Sequence, residues 1–196
     1  MTRVSPEYRD ARRAHIIEAA RELFSRKGLA YSSMADLVTA TGMSMGGIYR
    51  YFAGKDEVIA AVAEGRDGTV RGEFPAAESP GELLTRLLTY VSGPNGAAHA
   101  RLTAQIWGEA AVRPELAETV RTRHTALRDH LTTLIHDAHR SEGAADPVAP
   151  DDSHAELAEV ALAGLVGYAH LVAAGFDVDP ASFQRVLGGL LDESRD

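Results

Sequence analysis

The chain contains no cysteine. That excludes a disulfide scaffold, thiolate metal ligands and a thiol nucleophile. No run of apolar residues approaches the ~20 needed to span a bilayer. The first residues, MTRVSPEYRDARRAH, are basic and polar and lack an apolar signal core. These absences lead us to expect a soluble, cytoplasmic protein. The patterns of common reaction centres are missing too. There is no Gly-x-Ser-x-Gly elbow and no phosphate-binding Gly-Lys-Ser/Thr loop. His136-x-x-His139 has the spacing of a metal pair on a helix, but no HExxH or calcium loop accompanies it. It reads as a hydrophilic helix face. No catalytic residue, metal ligand or cofactor is expected, although eight histidines and many carboxylates keep an enzyme as a rival. No strand or repeat is evident.

Positive charge is scarce overall, with a net charge of −8. Taken alone, this argues against nucleic acid, but the distribution reverses the argument. Residues 1–55 carry nine Lys/Arg and five Asp/Glu, whereas residues 56–196 carry 11 and 23. A basic front on an acidic body is the footprint of a DNA reader joined to a domain that does not touch DNA. With 196 residues, 45% of them hydrophobic, the chain can build one large or two small domains around a substantial core.

The stretch Ser33 to Lys55, SMADLVTATGMSMGGIYRYFAGK, organises the rest. Ser33 and Asp36 fit a capping box, in which each side chain covers a free backbone N–H of the other residue. Met34, Leu37 and Val38 give an apolar stripe at helical spacing. Gly42 stands where a helix stops and turns sharply. Ser44 can cap a second short helix with Ile48 and Phe52 facing inward. That leaves Met45, Gly46, Gly47, Tyr49 and Tyr51 outside or on the flanks. So glycine-rich a helix is poor by propensity, and its composition needs an external reason.

The remaining elements are helical. Helix 1 runs from about Pro6 or Asp10 to Lys27, with Ile16, Ala20, Leu23 and Phe24 on one face and Gly28 as its stop. Arg3, Arg9, Arg12 and Arg13 precede or open it, either as phosphate or minor-groove contacts or as a solvated arm. Helix 4 starts near Lys55 with Val58, Val62, Gly65 and Thr69 on one face. Gly65, Gly68 and Gly72 weaken its second half by ~1 kcal/mol each, so it either bends easily or frays. Phe74 to Ser79 reads as a linker. Ser79-Pro80-Gly81-Glu82 opens helix 5, and helix 6 spans about Ala98 to Val112. Pro114 opens helix 7, residues 141–152 form a loop, Ser153-x-x-Glu156 caps helix 8, and Asp179-Pro180 opens helix 9.

The pattern Gly42-Met43-Ser44, Gly46-x-Ile48-Tyr49-x-Tyr51-Phe52 and Lys55 resembles the helix-turn-helix signature of TetR-family transcriptional regulators, over roughly the first 60 residues. The resemblance implies an all-α fold of about nine helices. Residues 1–55 would form the DNA-binding domain, with its motif at about 33–52, and residues 56–196 the ligand-binding and dimerisation domain. It also implies DNA contacts from Ser32, Ser33, Ser44, Met45, Gly46, Gly47, Tyr49, Tyr51 and Lys55. Most of these would position the protein on phosphates, leaving Met45, Gly47, Ala35 or Tyr51 to read bases. A homodimer through helices 8 and 9 would meet a pseudo-palindromic operator. Gly164, Gly167, Gly188 and Gly189 would permit close helix approach there. An effector pocket is implied among helices 4 to 8, for a small apolar or aromatic molecule. Leu102, Gln105, Trp107, His124, Tyr168 and His170 are its candidate residues. Repression relieved by ligand is the leading expectation. The alternative is a constitutive or protein-regulated DNA-binding dimer with no small ligand.

Overall fold

The computed structural model describes residues 5–65, 77–141 and 152–193. The expectations for Arg3, Gly68, Thr69, Gly72, residues 74–76 of the linker and the interior of the 141–152 loop fall outside these residues. The described residues form nine α-helices and no strand: α1 (Pro6–Lys27), α2 (Met34–Thr41), α3 (Met45–Tyr49), α4 (Lys55–Ala63), α5 (Pro80–Ser92), α6 (Gly96–Ala110), α7 (Pro114–Ser141), α8 (Asp152–Ala173) and α9 (Pro180–Glu193).

Local chemistry sets most of the boundaries. The Ser5 side chain accepts from the Tyr8 N–H and Pro6 occupies the first turn of α1, while Gly28, at φ +92°, closes that helix with its N–H on the Phe24 carbonyl. Ser79 accepts from the Glu82 N–H at the start of α5. The Asp179 carboxylate accepts from the N–H groups of Ala181 and Ser182 at the start of α9. Those bonds, led by the Ser182 hydroxyl, hold the Asp179 carboxyl below its usual range. Gly42 ends α2 at φ +65°, and nothing lies within 4 Å of where its Cβ would be. Gly42→Ala is therefore expected to cost about 1–2 kcal/mol through the backbone alone, read as a lower denaturation midpoint at unchanged m-value.

The described residues fall into two compact units, one within residues 1–73 and 105–120, the other within 74–104 and 121–196. The first is built on Ile16, Ile17, Ala20, Phe24, Leu29, Leu37, Ile48, Phe52, Val58 and Ile59, all nearly inaccessible. Each large side chain among them contributes about 1.5–3 kcal/mol of burial. The second unit has two clusters. Leu83, Leu84, Leu131, Ile135, Ala158, Ala161, Leu162, Leu187 and Leu191 form one. Leu88, Val91, Ala100, Tyr168 and Ala169 form the other.

Three expectations need correcting. First, α4 ends at Ala63 and Gly65 takes φ +64°. Gly65 is thus a stop residue rather than part of a helical face, because its missing Cβ allows the left-handed turn. Second, α8 starts at Asp152, which puts Ser153 inside the first turn instead of before it. Third, α8 does have the length and composition to cross a membrane, with 22 residues and an 18-residue window of mean hydropathy 1.4. Its Ala158, Ala161, Leu162, Tyr168 and Ala169 are buried in the second unit.

Candidate nucleic-acid interface

The motif is held rigid by its own side chains. Ser33 Oγ accepts from the Asp36 N–H at 3.1 Å, and the Ser33 N–H donates to Asp36 Oδ2 at 2.8 Å. Lys27 Nζ and the Ser33 hydroxyl donate to the same carboxylate oxygen, each at 2.7 Å. The Lys27 bond, then those from Ser33, pull the Asp36 carboxyl from its ordinary 3.8 down to about 2. A carboxylate with a depressed folded-state pKa stabilises the fold fully above its unfolded value. That contribution fades as pH falls from 3.8 towards about 2. Asp36→Asn should remove this part of the acid limb, seen as a flatter plot of melting temperature against pH below 4, the onset given by that ordinary value of 3.8.

α3 follows, capped by Ser44 Oγ, which accepts from the Gly47 N–H at 3.1 Å. Ile48 and Phe52 anchor it, at 0% and 1% exposure. On the other side Ser44, Met45 and Gly46 are exposed, and Tyr49 is half exposed. Tyr51 and Lys55 are partly exposed. The two glycines differ. A Cβ on Gly47 would stand 3.2 Å from Ser44 Oγ, so the cap itself explains this glycine. A Cβ on Gly46 would meet nothing within 4 Å. No neighbour in the described structure demands a glycine there.

Two of the expected contact residues have internal partners. Ser32 is 4% exposed and its hydroxyl donates to the Gly28 carbonyl at 2.7 Å. It closes the turn after α1. The Ser33 hydroxyl is spent on Asp36, so Ser33 positions α2 and offers no free proton to a phosphate. One basic residue was overlooked. Arg50, exposed between Tyr49 and Tyr51, directly follows α3. A cation between two aromatics beside the motif was the available signal.

The expected effector residues are divided between the two units. Gln105 and Trp107 belong to the first unit. Gln105 Oε1 accepts from the Leu29 N–H at 2.6 Å, beside Gly28, and thereby satisfies a backbone donor of the head. Leu102, His124, Tyr168 and His170 belong to the second. Leu102 is buried. Tyr168 is 2% exposed, its ring 4.7 Å from that of Phe183 and its hydroxyl donating to the Val178 carbonyl at 3.1 Å. Burial, then the nearby Asp179, pushes its phenol pKa up. His124 Nε2 lies 2.9 Å from Glu159 Oε1, linking α7 to α8. His170 is exposed, with Nδ1 2.8 Å from the Val166 carbonyl. Most of these polar atoms already serve the protein's own fold.

The family described as "Bacterial regulatory proteins, tetR family" matches residues 16–62. Its span runs from the core of α1 through α2 and α3 into α4. The HTH-type transcriptional regulator YfiR of Bacillus subtilis is 39% identical over 77 residues, covering 39% of this chain and 38% of that protein. The chain thus spans about half or less of the length of the curated relatives it matches. Two solved structures share the whole fold. A TetR-family regulator from Cytophaga hutchinsonii has a TM-score of 0.70 at 23% identity, over 97% of this chain and 96% of that one. FadR from Bacillus subtilis, solved with stearoyl-CoA, has a TM-score of 0.65 at 15% identity, over 90% and 96%. At such identities the likeness is one of fold. These relatives and neighbours in fold are transcriptional regulators. Residues 16–62, which hold the capped helix-turn-helix, thus match the tetR family of bacterial regulatory proteins, and the helical order of the described residues is the fold of solved TetR-family regulators.

Proposed function

We propose that this protein is a dimeric, cytoplasmic transcriptional repressor that binds a pseudo-palindromic operator and is released by a small apolar or aromatic effector. Residues 1–55 carry the DNA contacts and residues 56–196 the sensing and dimerisation. The observation that carries the reading is α3: a firmly anchored helix whose outer side is bare at Gly46 and flanked by Ser44, Met45, Gly47, Tyr49, Tyr51 and Lys55. A duplex groove is the partner that such an exposed backbone fits. Occupying a promoter blocks transcription. An effector relieves the block only if it binds more tightly to a state whose two heads are wrongly spaced for DNA.

α8 and α9 support the dimer. Val160, Ala163, Gly167 and Leu171 recur at helical spacing on an exposed side of α8, and Val186 and Leu190 do so on α9. The glycines divide again. Gly164 faces Leu187 and Phe183 at 3.5 and 3.6 Å, so it serves packing between α8 and α9. Gly167, Gly188 and Gly189 have nothing within 4 Å of a Cβ and leave room for a second backbone.

FadR with stearoyl-CoA and a regulator from Saccharomonospora viridis with choline are neighbours in fold. They motivate an effector here without naming it. The second reading, a dimer without a small ligand, is favoured by Tyr168, whose ring and hydroxyl are already occupied. Selection of genomic fragments by the purified protein tests the DNA reading. Two inverted half-sites are expected, and failure to enrich any fragment at low salt would overturn it. Thermal stabilisation by apolar or aromatic compounds then decides between the two sensing readings.

A further inference from the structure

A cleft of about 720 Å³ opens between the first half of α1 and the exit of α3, lined by Ser5, Pro6, Arg9, Asp10, Arg13, Arg50 and Tyr51. Three guanidiniums share it with one carboxylate. The Arg9, Arg13 and Arg50 side chains make no ion pair or hydrogen bond among the described residues. Arg13 instead lies over the Phe52 ring, 5.1 Å from its centroid, which fixes the stem and leaves the N–H groups available. Arg12, by contrast, is turned aside: its Nε donates to the Tyr8 hydroxyl at 3.0 Å. Like charges do not converge on one concavity without a counter-charge, because each raises the cost of the next. The internal acid, Asp10, is too little to balance three cations. We infer that this cleft seats the sugar–phosphate backbone of the duplex beyond the groove occupied by α3, with Arg9, Arg13 and Arg50 as phosphate ligands and the Tyr51 hydroxyl beside them.

The assignment rests on the DNA-binding reading and extends it in a definite way. Guanidiniums bind phosphate oxygens in a planar fork, and phosphate contacts carry no base information. The cleft therefore adds affinity and register without specificity. It widens the footprint of each head towards the flank on the α1 side.

The test measures binding of the full-length protein to a short mixed-sequence duplex and to a selected operator across a KCl series. Each lost phosphate contact should lower the magnitude of the slope of log K against log salt by about 0.9 per engaged head. Arg9→Ala with Arg50→Ala should weaken both duplexes by the same factor and reduce the slope by about 1.8. Both residues are exposed, so the circular dichroism and melting temperature should not move. Adding Arg13→Ala should lower the slope by a further ~0.9. The triple Arg→Lys variant should keep the slope, because the charge remains, and lose part of the affinity, because the fork does not. A wild-type slope in the double variant overturns the assignment while the DNA-binding reading stands. So does a loss confined to the operator. A wild-type protein that binds neither duplex overturns both.

Discussion

Gly46→Leu is expected to weaken operator binding by roughly 10- to 100-fold, corresponding to about 1–3 kcal/mol of groove contact, while leaving the head at least as stable as before. The two effects have opposite signs for one reason. Inside the protein nothing stands within 4 Å of a Cβ at Gly46. Leucine is the better helix former by nearly 1 kcal/mol, so the isolated head should melt slightly higher. In the proposed complex the same side chain would occupy the space through which the backbone of α3 approaches the base edges. Gly47→Ala supplies the internal control. Its Cβ would press on Ser44 Oγ at 3.2 Å and disturb the cap, at a cost of about 1 kcal/mol. Adjacent glycines should thus separate binding from folding: Gly46 is required by the partner, Gly47 by the helix. Fluorescence anisotropy with operator DNA, paired with thermal melts, reads both. Undiminished affinity in Gly46→Leu would mean that this side of α3 does not enter a groove.

What was legible in the sequence was whatever is decided within a few residues. The Ser33–Asp36 box, the stop at Gly42, the cap at Ser44 and the Ser79-Pro80 and Asp179-Pro180 openings all appear where their local chemistry placed them. So do the inward residues Ile16, Phe24, Ile48 and Phe52. What the sequence does not show is the internal partner of a side chain when that partner lies far along the chain. Gln105 reaches Leu29 across 76 positions, and His124 reaches Glu159 across 35. A buried tyrosine hydroxyl needs a hydrogen-bond partner, and the sequence around Tyr168 does not name one. Val178 provides that partner from beyond the helix end. The burial of Ser32 was not legible either: the local pattern names Ser33 as the cap and says nothing of where the preceding serine turns. Gly65 was read as part of a face because a glycine at helical spacing fits both a continuing helix and a terminated one. Only the backbone angle distinguishes them.

Placing glutamate at both Val160 and Val186 is expected to separate the dimer and with it most of the operator affinity. These side chains are 55% and 71% exposed, so the substitutions touch no core position, and exposed changes of this kind shift the stability of a single chain by about 0.5 kcal/mol or less. In a two-fold assembly each substitution is duplicated across the axis. The apolar surfaces would then bring glutamates from both chains together where water is excluded. A single head retains its own contacts but loses the gain from linked binding, on the order of 10²- to 10⁴-fold for two joined modules. Sedimentation should show a monomer with native helix content, and half-site binding should survive at high protein concentration. A partner variant with lysine at the same two positions should restore dimers when mixed with the glutamate variant, because opposite charges then meet across the interface. That mixing separates a true interface from general damage, which no second chain could repair. If the glutamate variant remains dimeric, the second copy does not lie on the exposed apolar side of α8 and α9.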